Sequence, residues 1–166
     1  MTQQSTKLTV ELPSDLEIVM SRSFDAPRAL VFEVHSKAEH LKRWWGPRKY
    51  DMPVCEIDFR AGGAWRMVHW ADGEEYAFHG EYLEIVPPER IKWTFEWEGM
   101  SAWEGMSDHV VTETMVLTEQ DGVTTITTTS VFASKEDRDA MLQSGMEEGA
   151  NESYDRLAEL LAELQA

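Results

Sequence analysis

A chain of 166 residues is one domain by length and can support a sizeable core, burying roughly 70% of its unfolded surface. Its 31 acidic against 15 basic residues, a formal charge of −16 with no local Lys/Arg cluster, repel phosphate and exclude nucleic acid and anionic membranes as partners. A single cysteine, Cys55, excludes an internal disulfide, and with no membrane-spanning apolar run or signal-peptide core a soluble, cytoplasmic protein without membrane insertion is expected.

Residues 1–14 read as a polar N-terminal arm in which TVEL adds a short strand, and residues 15–166 as the domain proper. LEIVMSRSF opens it as a strand by its β-branched content and alternation. Asp25 as N-cap with Pro27 in the first turn predicts a short helix over RALVFEVHS, and Ser36 with Glu39 three residues on predicts a capping box for a second one carrying HLKRWW. Leu41, Trp44 and Trp45 share one face of that helix, and Gly46-Pro47 ends it. Trp45 is expected to be the core wedge, with Trp44 nearer solvent.

From Tyr50 to Phe132 the chain alternates through six strands, separated by GG, DG, PP and DG turns, as an antiparallel meander. After Ser134 one amphipathic stripe runs through Met141, Gly145, Gly149, Leu157 and Leu161, which predicts an unbroken helix of about eight turns. Gly145 and Gly149 on its buried face suggest close approach of something to that face. The fold class is therefore α+β: a curved antiparallel sheet wrapped around a long C-terminal helix, with two short helices after the first strand.

Reading Asp72-Gly73 as a tight hairpin puts Trp65, Met67, His69, Tyr76, Phe78 and Gly80 on one face. A four-residue PPER turn then sets Phe95 opposite Tyr82, Trp97 opposite Gly80 and Trp93 opposite Glu84, all on that same inner face. With seven Trp, six Phe, four Tyr and nine Met in the chain, this is more aromatic surface than a plain core needs. Combined with the glycines at 80, 145 and 149, it points to a cavity. The expected ligand-contacting set is Trp45, Trp65, Met67, His69, Tyr76, Phe78, Tyr82, Trp93, Phe95, Trp97, Thr128, Met141, Gly145 and Gly149. His69, Tyr76, Tyr82, Glu84, Thr128 and Ser130 are the candidate polar groups, and Glu84 is expected to be partly buried beside a side-chain donor such as Tyr82. No catalytic triad can be assembled from them, and His35, His40 and His109 lack zinc spacing, so neither metal nor cofactor is expected. The doubled WEGMS unit between Trp97 and His109 reads either as a long hairpin loop or as a lid at the cavity mouth.

FDAPRALVF, WWGP, GGAWR, GEYLEIVPPERIKW and SGMEEGANESYDRL, in that order and spacing, resemble the activator of heat-shock-protein-ninety ATPase homologue family, within the START-like, birch-pollen-allergen-like superfamily. The resemblance covers roughly residues 17 to 164. It implies the helix-grip fold and a cavity for a small hydrophobic molecule between sheet and C-terminal helix. The expected function is binding of such a ligand. A polyketide cyclase- or dehydratase-like enzyme, using His69, Tyr76 or Glu84 as acid or base, and a stimulator of a chaperone ATPase, with the chaperone as partner, are the alternatives. The sequence leaves monomer and homodimer equally open.

Overall fold

The computed structural model describes residues 7–98 and 110–166. Strand β1 (Thr9–Glu11) lies at one edge of an eight-stranded antiparallel sheet, beside β2 (Glu17–Phe24). Helices α1 (Arg28–Ser36) and α2 (Ala38–Trp44) follow β2. The meander then runs through β3 (Asp51–Ile57), β4 (Ala64–Ala71), β5 (Glu74–Val86), β6 (Arg90–Glu98), β7 (Val111–Gln120) and β8 (Val123–Val131), with β8 returning beside β2. Helices α3 (Lys135–Gln143) and α4 (Met146–Leu164) close the chain. The α+β class expected from the alternation pattern is the one observed, and the arrangement is the helix-grip fold that the resemblance implied.

The turn chemistry sets the registers. Asp72-Gly73 and Asp121-Gly122 all take positive φ, the mirror-image turn geometry whose twist suits flanking strands. The first of these turns pairs Trp65 with Gly80, Met67 with Phe78 and His69 with Tyr76, as expected. The β5–β6 register departs from expectation. Val86 pairs with Arg90 across a shorter turn, and a bulge between Tyr82 and Glu84 brings Trp93 opposite Tyr82 and Trp97 opposite Phe78. The net displacement beyond the bulge is even, so Trp93, Phe95 and Trp97 keep the inner face, whereas Glu84 moves to the outer one. There it pairs with Lys92 in the ladder and accepts a hydrogen bond from Arg90. The close approach at Gly80 belongs to the sheet itself: a Cβ there would stand 1.8 Å from the Thr94 carbonyl oxygen, which also accepts from Trp65 Nε1.

Four expectations about the helices are corrected, beginning with the N-cap roles of Asp25 and Ser36. Pro27 and Lys37, neither with a side-chain cap, occupy the N-cap positions of α1 and α2, and Ser36 ends α1 with its hydroxyl on the Glu33 carbonyl. The C-terminal helix is two helices, broken where Gly145 takes a left-handed φ of 85°. Nothing lies within 4 Å of a Cβ built on Gly145, so this glycine serves the backbone turn and not a close approach. The core lies between the sheet and α4: Met115, Leu117 and Ile126 of β7 and β8 pack with Leu157, Leu160 and Leu161 of α4 and with Val31, Val34, Leu41 and Trp44 of α1 and α2. A smaller cluster of Ile18, Val111 and Phe132 carries Met141, Leu142 and Met146.

Candidate functional site

The site is organised around the segment WWGP, which crosses from α2 to α4. Trp45 follows the end of α2 in extended conformation, so the two tryptophans part company. Trp44, 1% exposed, is the core wedge, correcting the expected assignment; its Nε1–H donates to the Val34 carbonyl at 3.0 Å and its ring meets His35 and Tyr154. Trp45 is only partly buried. Gly46, at φ 86°, then turns the chain onto α4, where its N–H donates to Ser153 Oγ (3.0 Å) while that hydroxyl donates to the Trp44 carbonyl (3.0 Å). Arg156 adds bonds to the carbonyls of Gly46 and Arg43, both at 2.8 Å. One face of α4 thereby fixes the whole turn.

Beside it, between the inner face of the sheet and helices α3 and α4, lies a cavity of about 710 Å³. Trp45, His69, Tyr76, Phe78, Phe95 and Trp97 line it from the turn and the sheet, and Met141, Gly145 and Gly149 from the helices. The Gly149 Cα faces Pro47 across ordinary contact distance: an added Cβ would stand 3.6 Å from Pro47 Cγ. Trp65, Met67, Tyr82 and Trp93 are placed elsewhere, around a second space of about 40 Å³ beneath α1 and α2, with Trp45 between the two. Thr128 lines neither; it is 5% exposed and hydrogen-bonds Tyr154. The doubled WEGMS unit lies outside the described residues.

The polar groups divide by environment. Tyr76 gives its hydroxyl to Glu74 and so faces the rim, and Glu84 is on the other side of the sheet. His69 is 7% exposed, stacked on Tyr50 (5.3 Å) and edge-on to Phe78 (4.9 Å), with no hydrogen-bond partner at Nε2. Burial, with the Arg156 charge adding, pulls its pKa down to about 4, so its ring is neutral at neutral pH. Of the three expected acid–base candidates, His69 and Tyr76 line the cavity and Glu84 does not.

A residue absent from those three also lines the cavity. Glu113 on β7 lines the cavity, accepts from Trp93 Nε1 (3.0 Å) through one carboxyl oxygen and from Ser130 Oγ (2.7 Å) through the other, and faces both across the ladder. Its desolvation raises its pKa above the ordinary carboxyl value, against the lowering effect of those two hydrogen bonds. Tyr154, from α4, stands in the same surroundings, its phenol pushed up to about 12 by burial. The signal was present in the sequence: Glu113 shares the parity of Val111, Met115 and Leu117, an acid in an apolar row. Among the described residues no group of three or more His, Cys, Asp or Glu is placed to hold a metal ion.

The description "Activator of Hsp90 ATPase homolog 1-like protein" matches residues 25–162, most of the chain. The chain belongs to this family. Solved structures agree in fold with this chain along nearly its whole length. A protein from Rhodobacter sphaeroides superposes with a TM-score of 0.84 at 22% identity, covering 94% of this chain and 99% of that one. A protein from Mycobacterium smegmatis gives 0.80 at 26% identity, with 95% and 99% covered, and one from Staphylococcus epidermidis 0.77 at 27%, with 93% and 94% covered. No curated protein matches the chain. No helix among the described residues is long and apolar enough to cross a membrane.

Proposed function

We propose that this member of the family is a binding protein for a small, largely apolar molecule held between the sheet and α4. The observation that carries the reading is the cavity itself. Its volume of about 710 Å³ lies in the range of ligand sites, it is walled by aromatic and methionine side chains, and it holds a few convergent polar groups. The contact set is Trp45, His69, Tyr76, Phe78, Phe95, Trp97, Met141, Gly145 and Gly149, joined by Glu113 and Tyr154. An apolar fluorescent dye is expected to bind with one-to-one stoichiometry, and Gly149→Leu, which sends a side chain from α4 into the space beside Pro47, is expected to weaken it while the far-ultraviolet spectrum stays that of wild type. Equal dye binding by the folded variant would overturn this assignment of the cavity.

A second reading, a cyclase- or dehydratase-like enzyme, is favoured by Glu113 alone: a carboxyl group at a cavity wall, its pKa raised by desolvation, is the kind of group that can exchange a proton with a bound molecule. Glu113→Gln would then abolish turnover of a candidate substrate while leaving its binding intact. Stimulation of a chaperone ATPase rests on the family description alone.

A further inference from the structure

Among the described residues, the cavity is walled by rings and yet lined by one carboxylic acid, which has no countercharge. Glu113 takes a neutral donor on each carboxyl oxygen, Trp93 Nε1 at 3.0 Å and Ser130 Oγ at 2.7 Å, and among the described residues no lysine, arginine or histidine forms an ion pair with it. Neither lysine nor arginine is among the described residues lining the cavity. Arg22, the basic residue on the inner face of β2, is held by Asp155 at 2.8 Å with its guanidinium over the Phe24 ring. Arg156 is spent on the carbonyls of Gly46 and Arg43.

We propose that the cavity selects an apolar molecule bearing a protonated amine, the ammonium group docking against Glu113 among the aromatic walls. This rests on the binding reading above and names the chemical class of the ligand. Three features favour a cation over other polar groups. The hydrogen-bonding needs of Glu113 are already partly met by neutral donors, so what the carboxylate lacks is positive charge, and an ammonium supplies charge and donors together. Phe95 and Trp97 follow Trp93 at alternate positions on the inner face of β6 and line the cavity, and a wall of aromatic rings is a favourable setting for a desolvated cation. The net charge of −16 enriches cations near the surface and depletes anions, so a carboxylate-bearing ligand meets repulsion both on approach and at Glu113. Binding also relieves the protein, because a cation beside Glu113 offsets the desolvation that raises its pKa.

The test is a matched series sharing one apolar body, naphthylethylamine, naphthylethanol and naphthylacetate, titrated into the full-length protein by calorimetry and by intrinsic tryptophan fluorescence. The amine is expected to bind roughly tenfold or more tighter than the alcohol, and the carboxylate more weakly than either. In Glu113→Gln the amine is expected to fall to the affinity of the alcohol, whose own affinity changes little. Equal binding of amine and alcohol by wild type, or an amine preference that survives Glu113→Gln, overturns the proposal while leaving a binding cavity in place. If none of the three probes nor the apolar dye binds, the binding reading itself has failed, and the proposal with it. Should Glu113→Gln fail to fold, the wild-type order of the three probes decides alone.

Discussion

Gly46 lies directly against the imidazole of His69: a Cβ built on Gly46 would stand 2.5 Å from Cε1 and 3.0 Å from Nε2 of that ring. The position therefore refuses a side chain on two counts, the contact and a φ of 86°. Gly46→Ala is expected to cost about 2–4 kcal/mol in denaturant melts, combining left-handed strain with overpacking. It should also weaken dye binding, because His69 is part of the cavity wall. A melt within error of wild type would mean that the turn can take another path over α4.

The two tryptophans of WWGP are expected to separate by phenotype. Trp44→Ala should destabilise by about 3–5 kcal/mol, since it empties a core site and leaves the Val34 carbonyl without its donor. Trp45→Ala should cost clearly less and show itself in ligand affinity, because that ring borders the cavity. Chemical denaturation and dye titration of both variants distinguish the roles, and the reverse ranking would place the wedge at Trp45 after all.

Acid should destabilise the protein in a defined window. His35 is 7% exposed with its Nδ1–H on the Val31 carbonyl, and burial lowers its pKa to about 4; His69 behaves alike. The unfolded chain takes up protons near pH 6.5 and the folded one only near pH 4, so this stability is complete above pH 6.5 and declines as the pH falls between those values. The loss approaches about 3 kcal/mol per histidine at the acid end. Glu113 runs the other way, since its folded pKa is raised: its contribution is present below the ordinary carboxyl pKa and is lost as pH rises through the folded value. Glu113→Gln is therefore expected to be more stable than wild type at neutral pH. Melts from pH 4 to pH 8 check both signs, and a flat wild-type profile would contradict the buried-histidine account.

Gly145 and Gly149, four residues apart, should respond oppositely to alanine. Gly145→Ala forces a left-handed φ of 85° on a residue with a Cβ and is expected to cost about 1–2 kcal/mol although the space around it is open. Gly149→Ala sits inside α4 with Pro47 Cγ at ordinary contact and is expected to gain about 0.5–1 kcal/mol of helix propensity. Equal effects in thermal melts would refute the different duties given to the two glycines.

Local rules made much of this legible. The β4–β5 register follows from Asp72-Gly73 because that dipeptide admits few turns, and strand alternation then places Phe78, Phe95 and Trp97 on the inner face even though the β5–β6 register beyond the bulge lies two residues from the one a four-residue PPER turn implies. Three features escaped because they depend on partners distant in sequence. Whether Gly145 continues a helix or breaks it is decided by how α3 meets Ile18, Val111 and Phe132, since a glycine accepts either conformation. The bulge after Tyr82 has no dipeptide signature, and it alone turns Glu84 outward. Which tryptophan is the wedge depends on α2 ending one residue before Trp45, a boundary set by Ser153 and Arg156 more than a hundred residues on. Glu113 is legible by parity, as an acid in the apolar row of Val111, Met115 and Leu117.

The two outer strands of the sheet bear on how the protein behaves when crowded. At one end β1 pairs over three residues only, and at the other β3 breaks its ladder between Asp51 and Val54, around Pro53, which has no amide hydrogen to offer. Among the described residues, neither end presents a long, straight row of free donors and acceptors on which a second copy could lay a strand. Substituting a β-branched residue at Pro53 would restore such a row beside Val54, and with it a template for fibrillar stacking that mutual repulsion between acidic molecules would oppose only until salt screened it.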